Sequence, residues 1–393
     1  MIVRQFLHWV RTAAAGERAA ATSALARAYL YSDLSPDDRA AAEGAMIMLL
    51  DDFSPLVRGA LAEALAGSER APPAVIHALS TDRPDIAAIV LEHSPLLIDA
   101  ELVDFVATGD DVVQIAIARR RFLPCPVAAA VAEVGSALAC LTLIENPDAE
   151  IALFSIDRIV ERFGHVPTIR EALFAREDLP ASTRQALVSK LSTQLAEFVA
   201  ERAWLGLDRA HQAAKEACEK ATIALAAESP HGEVRPLIHH LCQSGQLNAG
   251  LVLRALLSGN IVLFEEALSE LSDLPLERVR GIVHDRRGSG FRALYEKAGL
   301  PPSAYPAFRE AIEAMREAVH LGEPGNGSRL KRRMIERVLT GCERDVIGDI
   351  EPLHMLLRRF ATEAAREEAR LYCEGLVSED AFLLERTDNR VAA

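Results

Sequence analysis

The stretch from Asp51 to Leu79, DDFSPLVRGALAEALAGSERAPPAVIHAL, limits what this chain can fold into, because it holds one complete helix-turn-helix unit whose pattern recurs downstream. Asp52 or Ser54 can cap a first helix, and Pro55 suits the first helical position, where its missing N–H leaves no bond unmade. Leu56, Val57, Ala60, Leu61, Ala64 and Leu65 follow at helical spacing and predict one apolar face. Gly67 and Ser68 stop that helix. Pro72 and Pro73 start a second, whose Val75, Ile76 and Leu79 can fold back on the first. A short connection of this kind favours an antiparallel pair. One pair cannot bury its apolar face alone, so successive pairs must stack.

The recurrence can be set out by aligning Pro55, Pro84 and Pro147, each near an Asp, Asn or Ser, in FSPLVRGAL, DRPDIAAIV and ENPDAEIAL. The run DDVVQIAI from Asp110 fills the same role without proline. Second helices are predicted to begin at Pro73, Pro126 and Pro167, and Leu179-Pro180 extends the series toward residue 200. Spacings of about 28 to 35 residues suit two-helix solenoid units. Aromatic residues are 5% of the chain, whereas Ala, Leu, Arg and Glu abound, so strands are not expected. The expected fold is all-α: a HEAT-like α-solenoid of stacked antiparallel helix pairs followed by a second helical module. The expected divisions are capping helices over 1–50, the repeat array over 51–200, the second helical module over 201–322, a linker over 323–328, C-terminal helices over 329–378 and a flexible tail over 379–393.

Within the second half, residues 183–228 lack proline and read as the longest helical run, divided into two helices or bent at Gly206. Ala210, Ala214, Ala217, Cys218, Ala221 and Leu225 are predicted inward, with Lys215, Glu216, Glu219 and Lys220 on the solvated side. Gly245, Gly259 and Gly299 fall where helix C-terminal caps belong. After Pro352, Leu353, Leu356, Leu357, Phe360, Ala364 and Leu371 share a face. Arg358, Arg359, Arg366 and Arg370 alternate elsewhere with Glu363, Glu367 and Glu368, the pattern of a salt-bridged surface.

A formal charge of −14 argues against nucleic acid as the main partner, since phosphate binding needs a basic surface. Between Asp51 and Asp111 twelve acidic residues face only Arg58, Arg70 and Arg83. That region is expected to recognise a basic segment of a protein or peptide partner through Asp82, Asp85 and Asp104. The turn containing Arg286, Arg287, Gly288 and Gly290 is the candidate anion site, weighed against a Gly-rich turn with solvated arginines. Arg119, Arg120 and Arg121, and Arg329, Lys331, Arg332 and Arg333, could meet phosphates, but basic residues at helix ends also complement the helix dipole. For the first cluster the capping role is preferred.

Six cysteines are scattered without a CxxC pair, which suits a reducing cytoplasm, and no disulfide framework is expected. His239, His240 and Cys242 form the close His and Cys cluster, read as buried or half-buried helix residues rather than metal ligands. No GxSxG, HExxH or Gly-Lys-Ser/Thr element occurs, so no catalytic residue, metal or cofactor is assigned. No stretch reaches the length of apolar sequence that a membrane span needs.

The runs DDFSPLVRGALAEALAGSERAP, SPLLIDAELVDFVATGD, IAIARRRFLP and AVAEVGSALACLTLIENPDAEI resemble an uncharacterised family known mainly from alphaproteobacteria, the domain of unknown function DUF2336. SGQLNAGLVLRALLSGNIVLFEEALSELS and DRRGSGFRALYEKAGLP continue the resemblance, which covers most of the chain. It implies the helical fold and supplies no catalytic or binding residues. The function expected is that of a non-enzymatic scaffold binding a protein or peptide along an extended groove. The alternative is a HEAT-like nucleic-acid or nucleotide binder.

Overall fold

A computed structural model describes residues 9–10, 12–285, 290–320, 334–340, 355–366, 368–370 and 372–373. Among these residues the fold is all-α: beyond helices and turns there is one isolated bridge, between Leu123 and Ala149. No helix among them is long and apolar enough to cross a membrane. The chain divides into two compact units, residues 1–179 and 180–393.

In chain order the first unit carries α1 (Ala15–Tyr31), α2 (Pro36–Leu49), α3 (Pro55–Leu65), α4 (Pro73–Ser80), α5 (Pro84–His93), α6 (Asp99–Thr108), α7 (Asp111–Ala118), α8 (Cys125–Val134), α9 (Ala137–Glu145), α10 (Leu153–Phe163) and α11 (Pro167–Phe174). From α1 to α11 each odd-numbered helix packs on the next odd-numbered one; α2 packs on α4, and α6, α8 and α10 pack in series. Two rows of helices result, an order compatible with stacked pairs. From α3 to α11 the odd helices also share a register. Their third residues, Val57, Ile86, Val113, Ala139 and Ile169, and their seventh, Leu61, Val90, Ile117, Leu143 and Leu173, are all buried. Each such Val, Leu or Ile side chain contributes about 1.5 to 3 kcal/mol relative to exposure.

Three expectations change. Leu56, assigned to the buried face of α3, is 64% exposed, and Val57, Leu61, Ala62 and Leu65 form that face instead. Pro147 does not start a helix. Asn146 donates its side-chain amide to the Ala118 and Arg120 carbonyls, both at 2.8 Å, and accepts the Asp148 N–H at 3.0 Å. These bonds fix a turn after α9. The odd-row helix of that repeat is α9 itself, which has no proline and is capped by Ser136 Oγ accepting the Ala139 N–H at 3.2 Å. Pro167 consequently opens an odd-row helix rather than the second helix of a pair.

The second unit carries α12 (Ala181–Glu201), α13 (Leu207–Glu228), α14 (His231–Gln243), α15 (Ala249–Leu257), α16 (Ile261–Ser272), α17 (Leu276–Val283), α18 (Phe291–Lys297) and α19 (Tyr305–His320), with further helical segments α20 (334–340) and α21 (355–366). Gly206 is the N-cap of α13, so it divides the run rather than bending it, and α12 packs along α13. Helix α12, read from sequence as the end of the first array, thus belongs to the second unit. Gly245, Gly259 and Gly299 have φ of +67°, +76° and +68°, the left-handed conformation that ends a helix most easily without a side chain. The core is aromatic around Phe264, Tyr295 and Phe308, with the Tyr295–Phe308 centroids 5.2 Å apart. The Tyr295 hydroxyl donates to the Pro301 carbonyl at 2.7 Å.

The inward face of α13 differs from the alanine-rich one expected. Ala210, Glu219, Thr222, Ile223 and Ala226 are buried, while Ala217 is exposed. Glu219, read from sequence as solvated, faces a cation on α15.

Candidate interaction surface

Side chains that join neighbouring helices of the first unit account for several of the charges singled out in the sequence. Arg18 of α1 donates Nε and Nη2 to Asp52 at 2.8 and 2.7 Å, and Arg58 of α3 makes the same fork to Asp82 at 2.6 and 3.0 Å. Each aspartate lies just before the next odd helix, so each fork ties two first turns together. Bidentate geometry makes these strong pairs.

The opposite helix ends are tied by a second device. Arg120, following α7, donates to the Leu91 and Ser94 carbonyls at the end of α5, at 2.5 and 2.8 Å. Arg162 of α10 does the same for Ala132 and Gly135 at the end of α8, at 2.7 and 2.8 Å. The final carbonyls of a helix lack intrahelical donors and carry the negative end of its dipole, and a guanidinium answers both. Arg120 is thereby engaged between two helices of the row, with burial lowering its pKa, and it serves the capping role in a neighbouring helix rather than its own. Arg119 and Arg121 remain exposed.

Asp82 is half-buried, held by Arg58 and accepting the Arg83 N–H at 2.6 Å. Asp85 is exposed in the first turn of α5, 3.2 Å from the Arg83 guanidinium, itself exposed. Asp104 is exposed on α6, in the other row. Arg286, Arg287 and Gly288, and the basic residues 329–333, lie outside the described residues. Gly290 precedes α18, a helix of only seven residues.

The register of the odd helices exposes a feature that proline alignment hid. From α3 to α11 their second residues are Leu56, Asp85, Val112, Leu138 and Thr168. Leu56 is 64% exposed, Val112 47% and Leu138 57%. Helices packed in a row stand about 8 to 10 Å apart. These side chains therefore form an exposed line along one edge of the row, apolar at Leu56, Val112 and Leu138 and polar at Asp85 and Thr168. Phe53, fully exposed, adjoins it beside Leu56. The signal was present in the sequence, but Leu56 looked like core as long as the register was set by prolines alone.

In the second unit a cavity of about 310 Å³ between α12 and α13 is lined by Ser189, Ser192, His211, Cys218, Glu219 and Gln246, among others. Burial pushes the Cys218 thiol up, and pushes that of Cys140 in the first unit to about 11. Both are held as thiols at neutral pH rather than as the thiolate that nucleophilic chemistry uses. His239 is exposed, its Nδ1 2.8 Å from Glu270 and its Nε2 2.8 Å from the Gln243 amide; His240 is half-buried and Cys242 exposed. Among the described residues no group of three or more His, Cys, Asp or Glu could hold a metal ion.

The model of the family DUF2336, uncharacterised proteins conserved in bacteria, matches residues 86–348, two thirds of the chain, and the chain belongs to that family. No curated protein and no solved structure matches it.

Proposed function

For this member of the family we propose a non-enzymatic interaction scaffold whose first unit binds an extended segment of a protein partner along the first turns of its odd helices. The observation that carries this reading is the exposed line of Leu56, Val112 and Leu138 at one repeated position. Isolated exposed leucines are ordinary on a protein surface, whereas apolar side chains that recur at one position of neighbouring helices point to an interaction site. A segment in the polyproline II conformation, with three residues per turn and a rise of about 3.1 Å each, covers the step between neighbouring helices in one turn and returns the same face, so apolar side chains at every third residue match the line.

Asp85 occupies the position between Leu56 and Val112 and favours a basic residue in the partner. Its present pair with Arg83 is exposed on both sides, a kind worth only about 0 to 1 kcal/mol, and a partner can replace it at little loss. Asp104 adds to the negative field, whereas Asp82 serves the array itself. The acidic balance of residues 51–111, together with the engagement of Arg120 within the array, supports a protein partner over nucleic acid.

The test is site-specific photo-cross-linking in the native bacterium from residues 56 and 138, with Glu63 on another face of α3 as control. A common product from both line positions, weak from Glu63 and lost in Leu138→Asp at unchanged melting temperature, is the expected result. Equal cross-linking from Glu63, or a product indifferent to Leu138→Asp, overturns the reading.

A further inference from the structure

Helix α12 turns an apolar stripe toward solvent. Its face toward α13 holds Ser189 and Ser192, both bonded to Cys218, and the buried Ala196. One residue earlier in each case, and so about 100° round the helix, stand Val188, Leu191 and Leu195. Phe198 continues them, and intervals of three, four and three residues are those of a coiled-coil seam. Val188 and Leu191 are half-buried, whereas Leu195 is 52% and Phe198 44% exposed.

The stripe runs into the connection between α12 and α13, where Ala203 has φ +55°, a conformation that a residue with a Cβ enters at a cost. That bend brings the Trp204 N–H to the Val199 carbonyl at 3.2 Å and sets the Trp204 ring edge-on to Phe198, with centroids 5.9 Å apart. The Arg202 guanidinium carbon lies 4.2 Å from the centre of the Phe198 ring and 5.7 Å from that of Trp204. Trp204 is nevertheless 65% exposed, and Leu205 41%. Tryptophan, phenylalanine and arginine are enriched at protein interfaces, and holding them against one another in advance lowers the cost of association.

We infer that this stripe is the contact between two copies of the chain, α12 of one against α12 of the other about a two-fold axis. Its intervals read the same in either direction, so an identical stripe answers it layer for layer. From Val188 to Leu205 the cations Lys190 and Arg202 balance the carboxylates Glu197 and Glu201, which leaves no net charge to select a basic or acidic partner or to repel a second copy. The same balance gives an anionic membrane surface no attraction. A Trp or Phe buries about 150 to 250 Å², so the exposed parts of Leu195, Phe198, Trp204 and Leu205, with their half-buried neighbours, offer on the order of 500 Å² per copy. A symmetric pair doubles that to roughly 1,000 Å², the size at which specific interfaces begin. The inference concerns the second unit and does not depend on the interaction proposed for the first.

The test is sedimentation equilibrium of the full-length chain from sub-micromolar to high micromolar concentration. The wild type should be a reversible dimer. Leu195→Glu and Phe198→Glu, each at an exposed helical position, should raise the dissociation constant at least about tenfold with the circular dichroism unchanged. Phe198→Ala combined with Trp204→Ala serves the same purpose should the glutamate variants unfold. Leu138→Asp, in the exposed line of the first unit, should leave the dimer intact. In Trp9→Phe, which keeps Trp204 as the one tryptophan of the chain, emission should move to shorter wavelength as concentration rises through the dimer transition. A monomer at every concentration, a dimer that the stripe variants do not weaken, a dimer lost in Leu138→Asp, or Trp204 emission that moves only when phosphatidylglycerol vesicles are added would each overturn the inference.

Discussion

Arg58, in the first turn of α3, and Asp82, just before α5, are joined by two hydrogen bonds of 2.6 and 3.0 Å, each side chain only 14% exposed. Burial acts to raise the pKa of Asp82, but the bonds from Arg58 and from the Arg83 amide outweigh it, and the carboxyl titrates below its ordinary value. Asp52 is shifted the same way by Arg18 and the Ser54 amide. A carboxyl with a depressed folded pKa stabilises the fold fully above its unfolded value, about 3.9, and loses that contribution as pH falls through the lower folded value. The first unit should therefore weaken below about pH 4. Asp82→Asn should remove part of that dependence and, at pH 7, destabilise by about 1 to 3 kcal/mol, between the exposed and buried cases. Urea denaturation between pH 3 and 7 measures both, and a variant with the wild-type pH slope would contradict the assignment.

Arg120 and Arg119 are adjacent in sequence and differ in what they touch. Arg120→Met removes two charge-assisted bonds to the end of α5 and leaves the Leu91 and Ser94 carbonyls without that donor, and should cost about 1.5 to 3 kcal/mol. Arg119→Met, at an exposed position, should stay within about 0.5 kcal/mol. Equal effects in chemical denaturation would mean that the ties between repeats do not carry stability.

What the sequence disclosed, and what it hid, follows from the range of each interaction. Pro55, Pro73 and Pro84 announce helix starts because the signal is local, fixed by the residue's own ring. The break between α8 and α9 rests on Gly135 and a Ser136 cap, a weaker signal inside a run of alanines and leucines, and it passes unnoticed. Once it is missed, the row of every later helix slips. The triplet from Arg119 to Arg121 is visible in the sequence, yet only packing tells which member reaches back 26 to 29 residues to another helix end. Glu219 and Glu363 both read as solvated because helical periodicity scores a carboxylate as outward. Their common partner, Arg254, sits amid apolar residues, and in one case is 109 residues away in sequence. No local pattern encodes that meeting.

Two glycines should respond oppositely to alanine. Gly259, at φ +76°, occupies the left-handed region where a Cβ is strained, and Gly259→Ala should destabilise the second unit by about 1 to 2 kcal/mol. Gly44 lies within α2, exposed, with open space where a Cβ would be added. Gly44→Ala should stabilise the first unit by about 0.5 to 1 kcal/mol by narrowing the unfolded ensemble and favouring the helix. Thermal melts of the two variants, read separately for each unit, check the pair, and matching signs would refute the backbone argument.

Leu56 and Leu61 test the register on which the proposed surface rests. Both belong to α3 and both fit the apolar spacing seen in sequence, yet Leu61 is fully buried and Leu56 is 64% exposed. Leu61→Asp places a carboxylate in the core between stacked helices, where burial without a partner should destabilise by several kcal/mol or unfold the first unit outright. Leu56→Asp puts the same charge in solvent at the start of a helix, where the dipole favours an anion, and should leave stability unchanged or raise it by a few tenths of a kcal/mol. Equilibrium unfolding of both variants under one set of conditions makes the comparison. Should Leu56→Asp melt as early as Leu61→Asp, the second position of the odd helices is core, and the exposed line through Asp85, Val112 and Leu138 loses its first member.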